Sequence, residues 1–307
     1  MKTKFVRVRV PATTANLGPG FDCLGMALDL WNETTIMLQG DGIQVVLQGY
    51  GEGMVPTDER NLVVKAFLLL FKKLGVQAPP GLKVQCNNNI PLGSGLGSSC
   101  AAVLSGLMAA NACLGNPVKM DELLLIASEM EGHPDNVSAA ALGGLVACIA
   151  AEKSLITRRY KPAAWYASVI IPIIQLPTVE SRAVLPINVS LKDAVFNMGH
   201  TLLVVDAICN GDRDLLSQSM QDRLHQPYRL RLIPGANAAF QAALQAGAVA
   251  TAISGAGPGL IAFSLTNSKK IMDAMQSEMN KESINSLAFE LKVTCQKAEA
   301  VYGNMMI

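Results

Sequence analysis

One stretch constrains this chain more than any other: Asn88–Ala102, NNIPLGSGLGSSCAA. Glycines stand at positions 93, 95 and 97, and two serines follow. Upstream, residues 82–86 (LKVQC) alternate like a strand. Downstream, residues 101–114 are small and apolar, as in a buried helix. Strand, glycine loop and helix start therefore follow one another. Glycine lets the backbone take positive φ and lets a ligand come close to the N–H groups. The helix N-terminus adds unpaired donors and a positive dipole end. Together these predict an anion site, most often for phosphate. A β-carbon at Gly95 or Gly97 is expected to block that approach without unfolding the chain. No lysine follows the last glycine, so this is not a Walker A loop, and G-x-G-x-G-S-S is not the G-x-G-x-x-G dinucleotide turn. The paired serines suit phosphate oxygens or a metal.

Other chemistries fit poorly. The three histidines (His133, His200, His225) lie far apart and lack cysteine partners at zinc spacing. No G-x-S-x-G elbow supports a serine hydrolase. A net charge of +1 gives no electrostatic case for nucleic acid or an acidic membrane. No apolar run reaches membrane-span length, and MKTKFVRVRV reads as a first strand, not a signal peptide. The seven scattered cysteines form no C-x-x-C pair, which points to reduced core residues of a cytoplasmic protein. Hydrophobic residues make up 50%, enough for one large or two ordinary cores over 307 residues.

Along the chain, residues 5–10 alternate as a strand and run into a polar loop, PATTANLGPGFDCLG (11–25). Residues 28–38 and 42–48 are further strands around a Gly40-Asp41-Gly42 turn. Asn61 caps a helix over 62–74. Asp121 opens another helix, DELLLIASEME, ended by Gly132. Glu129 and Glu131 fall in its last turn, where the dipole disfavours anions; a bound cation would relieve that. The charged stretch 152–160 marks a domain boundary, giving domains 1–155 and 156–307. Residues 167–176 form a strand that Pro172 makes an edge. Helices follow at 190–210, 212–220, 234–245 and 269–279. HQPYRL is a loop between them, 249–253 and 260–264 pair around SGAGPG, and 287–293 is the last strand.

The pattern P-x-G-S-G-L-G-S-S with a small-residue helix behind it resembles the ATP motif of the GHMP kinases. The strings PATTANLGPGFDCLG and EGHPDNV resemble those of the homoserine-kinase branch of that family. The resemblance covers most of the chain. It implies an α+β fold of two domains, the first like ribosomal protein S5 domain 2 and the second ferredoxin-like, with an ATP cleft between them. It implies transfer of phosphate from ATP to a small amino-acid alcohol, with Mg²⁺, and a homodimer. ATP would lie on Pro91, Leu92, Gly93, Ser94, Gly95, Leu96, Gly97, Ser98, Ser99, Cys100 and Ala101, with Asn61 a plain helix cap near the adenine. Mg²⁺ would sit on Ser98 and Glu131, with Glu129 the fallback. Asn16, Asp22, His133, Thr178, Arg182 and Arg229 would meet L-homoserine, the two arginines at its carboxylate. Asn136 and Asp22 are the catalytic candidates. Other members carry an Asp base where Asn136 stands, and Asn takes no proton, so no dedicated base is expected. A kinase for mevalonate or a sugar, or a silent sensor on the same fold, is the alternative.

Overall fold

The computed structural model describes residues 2–151, 154–267 and 269–306. Glu152 and Lys153, in the charged stretch, lie outside the described residues. The chain builds two sheets. The larger has β1 (Lys2–Ala15), β2 (Leu24–Met37), β3 (Gly42–Gly49), β4 (Gly81–Asn88), β5 (Leu145–Ala151), β6 (Ser154–Tyr160) and β11 (Glu299–Met306). Its main path runs β11-β1-β2-β4-β3, and β5 pairs β2 and β6. The smaller is ordered β10-β7-β9-β8, from β7 (Tyr166–Pro172), β8 (Ala250–Ile253), β9 (Leu260–Ser264) and β10 (Ser286–Lys292). Numbered within its own unit that order is 4-1-3-2, the split arrangement of a ferredoxin-like layer.

Helices cover these sheets. α1 (Leu62–Lys73) packs on α2 (Ser98–Cys113), and α2 lies on β1. α3 (Met120–Glu131) leads into α4 (Asp135–Leu142), which lies on β1 and β2. α2 is almost wholly buried, which explains its small apolar composition without a polar face. In the second unit α9 (Ala236–Gln245) and α10 (Lys269–Lys281) back the small sheet around Ile170, Phe240, Ile253 and Met275. The remaining helices are α5 (Thr178–Ala183), α6 (Leu191–Asn210), α7 (Arg213–Ser219) and α8 (Gln226–Arg229). No helix among the described residues is long and apolar enough to cross a membrane.

Several local expectations change. The turn at 40–42 does not close a hairpin: β3 pairs β4 in parallel at the sheet edge, and α1 supplies the crossover. β7 is central, flanked by β10 and β9, because Pro172 sits at its last position, where little ladder remains to break. HQPYRL is not a loop, since its middle forms α8 with Pro227 in the first turn, where a missing N–H is tolerated. A further strand, β11, follows the one expected to be last. The β5–β6 hairpin spans residue 155, and β11 returns to the larger sheet.

Candidate active site

Three connected hollows lie where the two units meet. The central one, about 110 Å³, is lined by the glycine loop, Glu131, His133, Asn136, Thr178 and the turn 255–257. A mostly apolar hollow of about 320 Å³ shares Gly93, Ser98 and Ser99 with it and continues past Asn61, Ala101 and Ser105. On the other side a tight hollow of about 20 Å³ shares His133, Asn136, Thr178, Gly255 and Ala256, and adds Asn16, Asp22, Asp135, Arg182 and Arg229.

The glycine loop lines the central hollow, and its glycines differ in what surrounds them. Gly93, Gly95 and Gly97 all have positive φ. A β-carbon at Gly95 would strike the Ser254 carbonyl, and one at Gly97 the Thr13 hydroxyl. Both glycines therefore pack against protein, so valine there disrupts the fold and is no clean test of ligand approach. Gly93 has nothing within 4 Å of that position and faces the open hollows. We expect Gly93→Ala to keep the fold at a strain of about 1–2 kcal/mol, and to lose nucleotide affinity. Titration with an ATP analogue, beside a thermal melt, checks this; parent-like affinity would sink it.

Gly97 caps α2 without a side-chain hydrogen bond, so the first N–H groups of α2 point at the central hollow unclaimed by the helix. Ser94 serves the loop itself, its Oγ donating to the Pro91 carbonyl at 2.7 Å. Leu96 is fully buried core, and its carbonyl accepts from the Thr13 N–H at 3.0 Å. Pro91 lines a separate apolar groove with Leu92. Cys100 is buried, which holds its thiol well above the usual range. Asn61 both caps α1 and lines the apolar hollow.

Across the central hollow, Ser99 donates to Glu131 Oε1 at 2.7 Å. Ser98 turns to the Ile90 carbonyl at 3.3 Å. Glu129 pairs with Lys73 on the surface at 3.1 Å and lines none of these hollows. Burial raises the Glu131 carboxyl above its ordinary value, the Ser99 bond only partly offsetting this. The result is a desolvated carboxyl group at the wall of the central hollow. Among the described residues no three His, Cys, Asp or Glu gather as a metal cage.

The third hollow is built by the turn after β1. Asn16, Leu17 and Asp22 all take positive φ. Asn16 Oδ1 accepts from the Asp22 N–H at 2.9 Å, and its amide donates to the Gly255 carbonyl at 2.8 Å. The turn after β1 is thus tied to the SGAGPG turn. Asp22 carries a forked pair with Arg182, at 2.7 and 3.0 Å. Arg229 is 1% exposed and donates to the Ser181 and Gly255 carbonyls, at 3.1 and 3.2 Å. Burial, with Arg182 nearby, lowers it to about 10. Both guanidinium groups lie against the Phe21 ring.

Three hydrogen bonds around Asn136 and His133 were not legible in the motifs. Thr13 donates to Asn136 Oδ1 at 2.7 Å, and Asp135 Oδ1 accepts from His133 Nδ1 at 2.8 Å and from the Asn136 N–H at 2.7 Å. Asp135 precedes Asn136 in the chain, whereas only the packing of α4 on β1 brings Thr13 to it. The hydrogen bond from His133 to Asp135 raises the histidine above its ordinary value. Its charge therefore stabilises the fold fully below about pH 6.5 and loses that effect as pH rises through the higher folded value. Melts of the parent and His133→Gln from pH 5.5 to 8.5 should show a gap that shrinks with rising pH; a constant gap would refute this.

Comparison with known proteins fits this geometry. Residues 61–144 match the GHMP kinases N terminal domain, and 204–281 the GHMP kinases C terminal model. The homoserine kinase of Moorella thermoacetica is 44% identical over 285 residues, covering 92% of this chain and 96% of that one. That of Desulfitobacterium hafniense is 41% identical over 298 residues, covering 96% and 100%. The crystal structure of homoserine kinase from Cytophaga hutchinsonii superposes with a TM-score of 0.86 at 33% identity, covering 97% of each chain. A mevalonate kinase from L. major, at 17% identity and a TM-score of 0.64 over 95% of each chain, shares the fold.

Proposed function

The chain belongs to the GHMP kinase family, and from that premise we propose that its three hollows hold adenine, triphosphate and an amino-acid alcohol in line. The activity is that of a homoserine kinase, ATP plus L-homoserine giving O-phospho-L-homoserine and ADP, a step toward threonine. The observation that carries it is the charged third hollow, which opens into the glycine-loop hollow through His133, Asn136 and Thr178.

Positioning and charge neutralisation do most of the work in phosphoryl transfer. The loop N–H groups and the start of α2 take the phosphates. Glu131 with Ser99, and Ser98 beside them, offer the hard oxygens that Mg²⁺ prefers. When bound, Mg²⁺ would neutralise charge on the phosphates. Asn136, held by Thr13, orients the transfer and cannot take a proton. The third hollow, about 20 Å³, has room for about one water and not for an amino acid, so Asp22 and Arg182 must part to admit a substrate. An α-amino acid carries the same two charges. Its carboxylate can take Arg182, with Arg229 behind, and its ammonium can take Asp22, so neither partner is left bare. Asn16, Thr178 and His133 frame the rest. Free cysteines throughout support a reducing, cytoplasmic setting.

Coupled ADP release with homoserine, mevalonate and galactose tests the reading. Turnover with homoserine alone is expected. Release with none of the three would favour a silent sensor, and release with mevalonate or galactose another kinase of the family.

A further inference from the structure

Arg229 is a buried cation held only by neutral acceptors. Its Nε donates to the Ser181 carbonyl, and its Nη1 to the Gly255 carbonyl. Nη1 also lies 3.3 Å from His225 Nδ1. Among the described residues Nη2 has no protein acceptor, and Arg229 lines the third hollow. His225 is fully buried, and Phe21 stacks on its ring at 5.2 Å. Its Nε2 stands 2.7 Å from the Gly18 carbonyl, which can only accept, so Nε2 carries the proton. A guanidinium has no lone pair to offer, so the Nδ1 beside it is the bare, accepting nitrogen. The two contacts together fix one neutral tautomer. The carboxylates around the ring are engaged elsewhere. Asp222, 3.6 Å from Nε2, accepts from the N–H groups of Leu224, His225 and Gln226 and from the Asn197 amide. Asp22 is forked on Arg182.

A neutral acceptor has a consequence that a charged one would not. A carboxylate at position 225 would grip the guanidinium more firmly, but it would neutralise the charge and compete with the carboxylate of a substrate. A neutral imidazole fixes the plane of the fork and leaves its charge open to the hollow. By its Nε2–H the same ring pins Gly18, on the turn that carries Asn16 and Asp22. One side chain thus registers the groups for both ends of an amino acid. Resting on the activity proposed above, we propose that His225 is a positioning residue for the substrate carboxylate: its neutral ring orients Arg229 through Nδ1 and leaves Nη2 free to meet the substrate.

Asparagine and aspartate share one shape, and either can set an oxygen where Nδ1 stands; only the charge differs. The conservative His225→Asn should weaken L-homoserine binding by no more than about threefold. His225→Asp should weaken it by about 30-fold or more, and should raise KM for homoserine more than it lowers kcat. Both should bind a non-hydrolysable ATP analogue as the parent does. Isothermal titration with each ligand reads these arms, and circular dichroism checks the fold. A side chain that only filled space would make the two variants alike. Should the aspartate variant not fold, His225→Leu decides. It should bind homoserine about tenfold more weakly than His225→Asn, and 3-aminopropan-1-ol, the same alcohol without the carboxylate, equally well. Equal homoserine affinity in the Asn and Asp variants overturns the proposal, as does a leucine variant that matches asparagine. A parent that does not bind homoserine would instead strike the activity on which the proposal rests.

Discussion

Arg182→Ala should lower the affinity for L-homoserine by about 10²–10³-fold, on the order of 3–4 kcal/mol, and leave an ATP analogue bound as in the parent. Truncation removes the fork that a carboxylate would take. It also leaves Asp22 without its partner in the substrate-free chain, so the exchange of one ion pair for another no longer balances. Arg182 is the better probe of the two arginines, being partly exposed on α5. Arg229→Ala would also strand the Ser181 and Gly255 carbonyls, so its loss of affinity would come with loss of stability. Lysine at 182 should rescue poorly, because a point charge cannot fill a fork. Isothermal titrations with homoserine, and separately with a non-hydrolysable ATP analogue, read the two arms. Unchanged homoserine affinity in Arg182→Ala would remove the main chemical support for the substrate.

Glu131→Gln should lower kcat by about 10²–10³-fold and raise the Mg²⁺ concentration needed for half-maximal rate. Its carboxylate is desolvated at the edge of the phosphate hollow, where a charge matters most. Glutamine keeps the shape and can still accept from Ser99, so the loss would report the charge. Glu129→Gln should be nearly silent, because that side chain answers Lys73 on the surface. Rates measured across a Mg²⁺ series decide it, and a larger effect at Glu129 than at Glu131 would reverse the assignment.

The two-domain GHMP kinase fold was legible in the motif strings, and several of the local pairings inside it were not. The loop 88–102, the PATTANLGPGFD turn and EGHPDNV converge as expected because each carries its backbone geometry in its own residues: glycines, an Asn and an Asp that tolerate the left-handed region. What the strings could not give depends on distant partners. Whether Ser98 or Ser99 meets Glu131 is a matter of one step around α2, which no spacing encodes. The clash partners of Gly95 and Gly97 lie on β1 and on the turn before β9. A glycine's local freedom is readable from sequence, but its neighbours are not. Pro172 misled because a proline marks a strand's edge or its end equally well. The pairing of β3 was lost because a Gly-Asp-Gly turn looks the same whether or not the two strands meet.

The pairing of β1 with β11 has a consequence for how the protein is made. β1 is hydrogen-bonded along one side by β11, which follows it in the chain after all the other strands described, Lys2 opposite Met306. Until β11 has been made, β1 can pair with β2 but keeps its other edge bare. Such an open edge is a template for joining other chains. Nascent and truncated forms lacking 299–306 should therefore be prone to aggregate, however well the cleft is formed. The two strand ends also lie side by side, so a short linker joining them, with new ends cut in an exposed loop, is a natural permutation to attempt. It would bring the two partners together early in synthesis and close the edge before it can recruit a stranger.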